Sequence, residues 1–460
     1  MQIRTRSALL ATALRRRRVA RAQELANDLA ISQATVSRLI TSLGDQVIPM
    51  GRARNRRYAL ARSVRGLPSA LTIYRVDRSG RPGAIGMLRI IDPEGCFLEL
   101  RDELGWPLDD EMRDGVFPGL PYFLSDGRPQ GFLGRAFARS LGPVLGIPED
   151  PASWTEDHML VAIARAGDDL PGDLLVGETS LEGFQRHRAE GIAAMDSTAR
   201  ERVFPERARA AIAGEPPGSS AGGEFPKFTA AIRVAGTIRH CIVKFSPADD
   251  SATARRWADL LVVEHHAAIV LRDLGVDTVA TELLRGAGRV FLEVGRFDRH
   301  DAFGRSGVVT LASLEPALLG LGDPSWEAAA AAFAQKGWLS AQDADRVARL
   351  ASFGRLIANS DMHGGNIAFS PADRGEGLVL APAYDMLPML YAPTRLGEVP
   401  ARQFDPPPPS PGLESGWAAA REAAERYWRI VSDEPLVSDG FRRIAAENAT
   451  LVAEAGRRYL

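Results

Sequence analysis

Lysine is nearly missing from this chain: 460 residues hold three, Lys227, Lys244 and Lys336, against 53 arginines. Arginine has taken the positions where a generic cation suffices, so a surviving lysine points to a place that needs a compact ammonium rather than a planar guanidinium. Cysteine is scarce as well, and Cys96 and Cys241 alone cannot build a disulfide framework. No 18-residue apolar run exists to cross a membrane, and the apolar stretch in "MQIRTRSALLATALRRRR" is too short for a secretory signal. A cytoplasmic chain with no membrane partner is expected. Internal repeats, a nucleophile triad and a dinucleotide fingerprint are absent too.

What is present is an ordinary globular composition, 45% hydrophobic, and a length that suggests about three domains at roughly 150 residues each. The net charge of −2 hides an asymmetry. Residues 1–60 carry twelve arginines against Glu24, Asp28 and Asp45, a local charge of +9, and the remaining 400 residues carry −11. One end of the chain seeks an anion.

That end has a legible pattern. Ser7 to Arg18 and Ala22 to Leu29 read as helices, and "ISQATVSRLITSL" sets Ile31, Val36, Leu39, Ile40 and Leu43 at helical spacing behind Ser32 as N-cap. "QVIPMGRARNRRYAL" then reads as two short strands around an arginine-rich turn. Together they predict a winged helix-turn-helix that ends near residue 62. With Val36 and Leu39 turned inward, Gln33, Thr35, Ser37 and Arg38 would meet base edges and phosphates, and Arg52, Arg54, Arg56 and Arg57 would lie on the wing. Arg15 to Arg18 would add phosphate contacts. Duplex DNA through residues 1–62 is therefore an expected partner; a protein-docking module is the other reading.

From Leu71 to about Leu141 short strands and turns predominate, without legible chemistry. "PYFLSDGRPQGFLGRAFA" reads as a packing loop or as the edge of a substrate or nucleotide site. Between residues 214 and 300 the order is clearer. The glycine-rich "GEPPGSSAGGEFPKF" precedes a strand, Phe228 to Val234, and a second strand ends near Lys244. Ser251 starts a long helix that carries Glu264. Strands near Val279 to Leu284 and Arg289 to Val294 then lead into "GRFDRH".

The chemistry concentrates in "IANSDMHGGNIAFS". Asp361 and Asn366 stand five residues apart between a helix and a strand, and Asp385 follows in "APAYDML". Phosphoryl transfer to a hydroxyl needs such a set: one carboxylate to orient the attacking hydroxyl, and an amide with a second carboxylate to hold magnesium on the phosphates. Lys244, ending an apolar strand twenty residues before Glu264, matches a phosphate-binding lysine steadied by a helix acid. Glu264 is the ion-pair candidate. The small residues around Ser219 and Ser220 offer backbone N–H groups to phosphates. His363 would bind phosphate or substrate, or make a loop-stabilising hydrogen bond. The adjacent His265 and His266 face different ways and do not suggest a metal pair, and Lys336 reads as a surface residue.

The ordered set "SSAGGEFPKF", "CIVKFSP", "FLEVGRFDRH", "NSDMHGGN" and "YDML" resembles the HipA family of serine/threonine kinase toxins over roughly residues 70 to 440. The resemblance implies a two-lobed α/β (α+β) fold similar to the phosphatidylinositol-kinase-like branch, with ATP and Mg²⁺ as cofactors. Lys244 would bind phosphates, Gly295 and Phe297 would offer hinge backbone to adenine, Asp361 would be catalytic, and Asn366 with Asp385 would hold the metal. Ser219 or Ser220 would be autophosphorylated. Family members usually pair with a separate helix-turn-helix antitoxin, whereas this chain carries its own N-terminal candidate, as in the YjjJ-like branch.

The expectation is thus a winged helix-turn-helix at 1–65, a β-rich subdomain with an ATP-binding lobe at 66–295 and a helical catalytic lobe at 296–460. The activity expected is ATP-dependent phosphorylation of a protein, with an aminoacyl-tRNA synthetase or another translation factor implied by the resemblance, and of the chain itself. The alternative is a nucleotide-responsive transcription regulator without catalysis. A homodimer is compatible with the sequence, which does not fix the oligomeric state.

Overall fold

The computed structural model describes residues 2–52, 55–214, 226–394 and 396–459. Arg54, Ser219 and Ser220 lie outside the described residues.

Three helices, Gln2–Arg17, Ala22–Leu29 and Gln33–Leu43, open the chain, followed by the antiparallel strands Val47–Met50 and Arg57–Ala61. Leu10, Leu14, Leu25, Val36, Leu39 and Leu60 close a small core among them. Ser32 caps the third helix, its hydroxyl accepting from the Thr35 amide and satisfying one of the orphan donors of the first turn. Gln33, Ser37 and Arg38 are exposed and Thr35 is half-buried.

The module is not a free appendage. Leu60 pairs with Asp92 and Ala61 with Ile91, so its sheet runs on into the strand Pro82–Asp92 of the next region. Arg15 donates to Asp92 (2.7 Å), Arg16 and Arg17 to Asp28, Arg18 to the Pro118 carbonyl, and Arg57 to Asp114 (2.8 Å). Carboxylates and a carbonyl of the chain itself thus already lie within reach of Arg15 to Arg18, the residues expected to add phosphate contacts. Arg57 likewise faces the next region. Arg52 and Arg56 are exposed, with no ion-pair partner among the described residues.

The middle region is built on the strands Leu71–Val76, Pro82–Asp92 and Cys96–Leu100, flanked by Val116–Phe117 and Leu174–Val176. Its β-rich reading extends only to Phe117. In "PYFLSDGRPQGFLGRAFA" the structure has a 3₁₀ turn, Tyr122–Gly127, and then a helix, Gly131–Leu145. Gly131, Gly134 and Gly142 lower the helix propensity of that segment, which is why it reads as loop.

A second sheet has the order Thr281–Gly286, Arg289–Gly295, Thr237–Phe245, Lys227–Val234, Met195–Asp196. The long helix Ala252–Asp273, capped by Ser251, packs against it. Beyond it lie the helices Leu311–Leu318, Trp326–Gln335, Ala341–Leu356, Glu414–Asp433 and Asp439–Tyr459, the first and third of them against a short three-stranded sheet, so the fold is mixed α/β and two-lobed beyond the N-terminal regions. Val347, Leu350, Phe353, Leu356 and Ile357 are all fully buried on the helix before the "NSDMHGGN" loop. At roughly 1.5–3 kcal/mol for each large side chain, this face fixes the base from which the loop departs. Trp428 Nε1 donates to the Leu356 carbonyl (3.0 Å) and secures the helix end. No described helix is long and apolar enough to cross a membrane.

Candidate active site

Lys244 sits at the end of its strand, buried, with its ammonium between two carboxylates. Nζ donates to Glu264 Oε1 (2.6 Å) and Oε2 (2.8 Å) and to Asp385 Oδ1. Burial disfavours the ammonium, but Asp385 and Glu264 outweigh it and hold Lys244 above its ordinary value. Burial pushes Glu264 up, to about 7, against the pull of Lys244. Asp385 is also penalised by burial, yet Lys244 and then Lys227 draw it below the usual carboxylate range, so it is the partner kept ionised. Its backbone stands at φ +57°, a left-handed conformation uncommon outside glycine and concentrated at functional sites.

The loop that raised the expectation of catalysis is tightly laced. Asp361 N donates to Asn359 Oδ1 (3.0 Å), Asn366 Nδ2 to the Asp361 carbonyl (2.8 Å), and Tyr384 Oη to the Gly365 carbonyl (2.8 Å). Gly364 is required by close approach: a Cβ there would stand 2.9 Å from the Ala312 amide nitrogen. His363 Nδ1 accepts from Gly365 N (3.0 Å), the loop-stabilising bond, while Nε2 lies 3.9 Å from Asp361 Oδ1. His265 bonds Thr281 and His266 bonds Glu434, so the two rings serve different neighbours.

Several of these groups line one cavity of about 390 Å³, within the size range of small-molecule sites. Lys227, Lys244, Asp361, His363, Asn366 and Asp385 supply its polar wall; Ile242, Val279, Val294, Leu387, Trp257 and Phe297 supply an apolar one. Phe297 stacks on Tyr384, with ring centroids 6.1 Å apart. Gly295 N donates to the Ala280 carbonyl and Arg296 N to that of His240, so both amides are engaged. The Phe297 amide has no backbone hydrogen bond among the described residues. A neighbouring cavity of about 330 Å³ shares Asp361 and His363 with the first.

The residues fit a magnesium nucleotide. Asn366 uses its amide nitrogen on Asp361, which leaves its side-chain oxygen as the atom for a cation, and it lines the same cavity as Asp385. Magnesium takes one or two protein oxygens and completes its shell with phosphate and water, so no larger acidic cluster is needed; among the described residues there is none.

The structure therefore brings Lys244, Glu264, Gly295, Phe297, Asp361, His363, Asn366 and Asp385 together. Lys227, Asp126, Arg128, Gln130 and Gly131 also line the cavity, as do Trp257 and Tyr384, which sequence reasoning left out. The scarcity of lysine pointed at Lys227. "LSDGRPQG" carried the open alternative of an edge to the site, and it does line it.

Residues 67–185 match the family described as YjjJ-like toxin, middle domain, and residues 219–434 match the HipA-like C-terminal domain. The chain is 37% identical over 429 residues to Toxin YjjJ of Escherichia coli (strain K12), a match spanning 93% of each. It is also similar to a chain of the Shewanella oneidensis MR-1 toxin–antitoxin complex of HipA, HipB and operator DNA. There the identity is 15% and the TM-score 0.52, over 85% of this chain and 97% of that one. At that identity the likeness speaks for the fold.

Proposed function

The chain belongs to the YjjJ-like family of HipA-type toxins, and from that premise we propose that it is an ATP- and Mg²⁺-dependent serine/threonine protein kinase. The observation that carries the reading is the convergence, on one cavity, of Lys244 between Glu264 and Asp385 with the loop residues Asp361 and Asn366. A ligand-binding regulator needs no acid aimed at a hydroxyl.

In this reading Lys244 and Lys227 bind phosphate oxygens, and the apolar wall with the Phe297 amide takes the base. A magnesium ion on Asn366 and Asp385 would neutralise charge on the phosphates. Asp361 orients a serine or threonine hydroxyl and accepts its proton, with the hydroxyl arriving from the neighbouring cavity that shares Asp361. The hydroxyl oxygen bonds to the γ-phosphorus as the bond from that phosphorus to the β,γ-bridging oxygen breaks, and ADP leaves with the bonding electrons. The substrate proposed is a translation-related protein, and the chain itself at Ser219 or Ser220. Residues 1–62 are proposed to bind duplex DNA as a winged helix-turn-helix.

Phosphoproteomics of cells that express the wild type or Asp361→Asn tests the kinase reading. Phosphoserine or phosphothreonine sites that depend on Asp361 are expected. Identical phosphoproteomes would favour the nucleotide-responsive regulator instead.

A further inference from the structure

Two arginines line the cavity, Arg128 and Arg296. Arg296 is spoken for: Asp298 holds it at 3.0 Å and Asp169 at 3.7 Å. Arg128 is different. Its one side-chain hydrogen bond among the described residues runs from Nη2 to the Trp154 carbonyl (2.9 Å), and no described carboxylate lies within 4.0 Å of it. Arg128 lines the cavity, and its guanidinium, with no carboxylate of its own among the described residues, has donors left to give.

The segment that carries Arg128 is held stiffly. Asp126, two residues before, accepts from Thr310 N (2.6 Å), Thr310 Oγ1 (2.7 Å) and Ser313 Oγ (2.7 Å). These bonds tie the segment to the start of the helix Leu311–Leu318, whose Ala312 amide lies against Gly364 of the catalytic loop. Gly127 packs closely between the two: a Cβ there would stand 2.9 Å from Ile163 Cδ1. Arg128 N closes the turn on the Ser125 carbonyl (3.1 Å). The middle region thus delivers a fixed cation to a site otherwise assembled from the C-terminal half.

We infer that Arg128 is a catalytic residue of the phosphoryl transfer, its guanidinium binding the γ-phosphoryl oxygens. The inference rests on the kinase reading. As the hydroxyl oxygen bonds to the γ-phosphorus and ADP departs, negative charge spreads over the three oxygens of the transferred group. Lys244 is shared by two carboxylates and Asp361 repels that charge; Arg128 meets it with a planar fork already in place, so no reorganisation is needed at the moment of reaction.

The test uses the full chain as wild type, Arg128→Met and Arg128→Lys. Calorimetry measures Mg²⁺-dependent binding of ADP and of β,γ-imido-ATP, and initial rates are measured for phosphate transfer from ATP. For Arg128→Met the expected result is a transfer rate lower by about 100-fold or more, imido-ATP affinity lower by about tenfold, and ADP affinity unchanged. Arg128→Lys, which keeps the charge without the fork, falls between. Unchanged ADP binding also reports that the variant is folded. Equal losses for ADP and imido-ATP would reduce Arg128 to a loop-packing residue, and undiminished transfer would overturn the assignment outright. If the wild type transfers no phosphate at all, the kinase reading fails by itself, and the selective loss of imido-ATP binding still decides whether Arg128 holds the γ-phosphate.

Discussion

Lys227 and Lys244 stand directly opposite each other on adjacent antiparallel strands, both buried and both on the wall of the cavity. Two buried ammonium groups side by side repel, and cross-strand like charges destabilise a sheet. The arrangement persists because Asp385 answers both and Glu264 answers Lys244. A triphosphate would add the anion that such a pair invites.

The first prediction follows from that balance. Lys244→Met leaves Glu264 and Asp385 facing each other without their shared cation, and breaking a buried pair from one side costs about 3–5 kcal/mol. Denaturant unfolding is expected to show a loss of that size, with ATP binding abolished in the folded fraction. Lys244→Arg is not expected to restore either, because a planar fork does not fill the place of a point ammonium. Wild-type stability in either variant would contradict the geometry.

Asp361→Asn separates binding from chemistry. The substitution keeps the shape of the loop and the Asn366 bond to the Asp361 main-chain carbonyl, while removing the proton acceptor. Turnover should fall by about two orders of magnitude or more, with ATP affinity nearly unchanged. A variant that loses ATP binding as much as turnover would move Asp361 from catalyst to phosphate or metal ligand.

The parts of this site that were legible in the sequence are those fixed by local chemistry. Asp361, Asn366 and Asp385 are spaced by one loop and one short sheet, and Lys244 with Glu264 by one strand and one helix, so order along the chain nearly fixes order in space. Lys336 also read correctly as peripheral: it lies over the Trp338 ring, 4.9 Å from its centroid. Arg128 was legible only as part of a segment that carried the alternative of an edge to the site: Asp126, two residues before it, is tied to Thr310, 184 residues further along the chain, and the glycines of the segment imitate a plain loop. The fate of Arg57 was hidden for the same reason: Asp114 is brought to it by strand pairing that no periodicity announces.

Glu264 supplies a pH test. Its ordinary value of 4.5 is raised by burial to about 7 in the fold, so between those values the folded state holds a proton that the unfolded state has released. Stability then falls as pH rises through the window from about 4.5 to 7 and is level above it. Glu264→Gln has no such proton to lose. The unfolding midpoint of the wild type, compared with that of Glu264→Gln at each pH, should therefore be lower at pH 8 than at pH 5. A difference that stays constant across that range would show that Lys244 keeps Glu264 ionised throughout.

The last prediction concerns the basic end of the chain, where ion pairing has already sorted the arginines. Arg15, Arg16, Arg17 and Arg57 are engaged by Asp92, Asp28 and Asp114, while Arg52 and Arg56, on the expected wing, are exposed without such partners among the described residues. If the wing meets duplex DNA, affinity falls steeply with salt, and removing one arginine from a phosphate flattens the log–log slope by about 1. Arg52→Ala and Arg56→Ala should each do so and weaken all sequences alike. Arg57→Ala should leave the slope nearly as it is, because its guanidinium is already neutralised by Asp114. Gln33→Ala or Arg38→Ala, on the exposed face of the third helix, should instead narrow the preference among sequences, by roughly 1–3 kcal/mol where the side chain reads a base edge through two hydrogen bonds. The full chain is the right material, since the pairing of Leu60 with Asp92 and Ala61 with Ile91 anchors the wing strand to the next sheet. A salt titration of these variants on selected and random duplexes checks the order. No binding even at low salt would turn the module into a protein-docking surface, and an Arg57→Ala slope that changes as much as that of Arg52→Ala would mean that Asp114 yields its arginine to DNA.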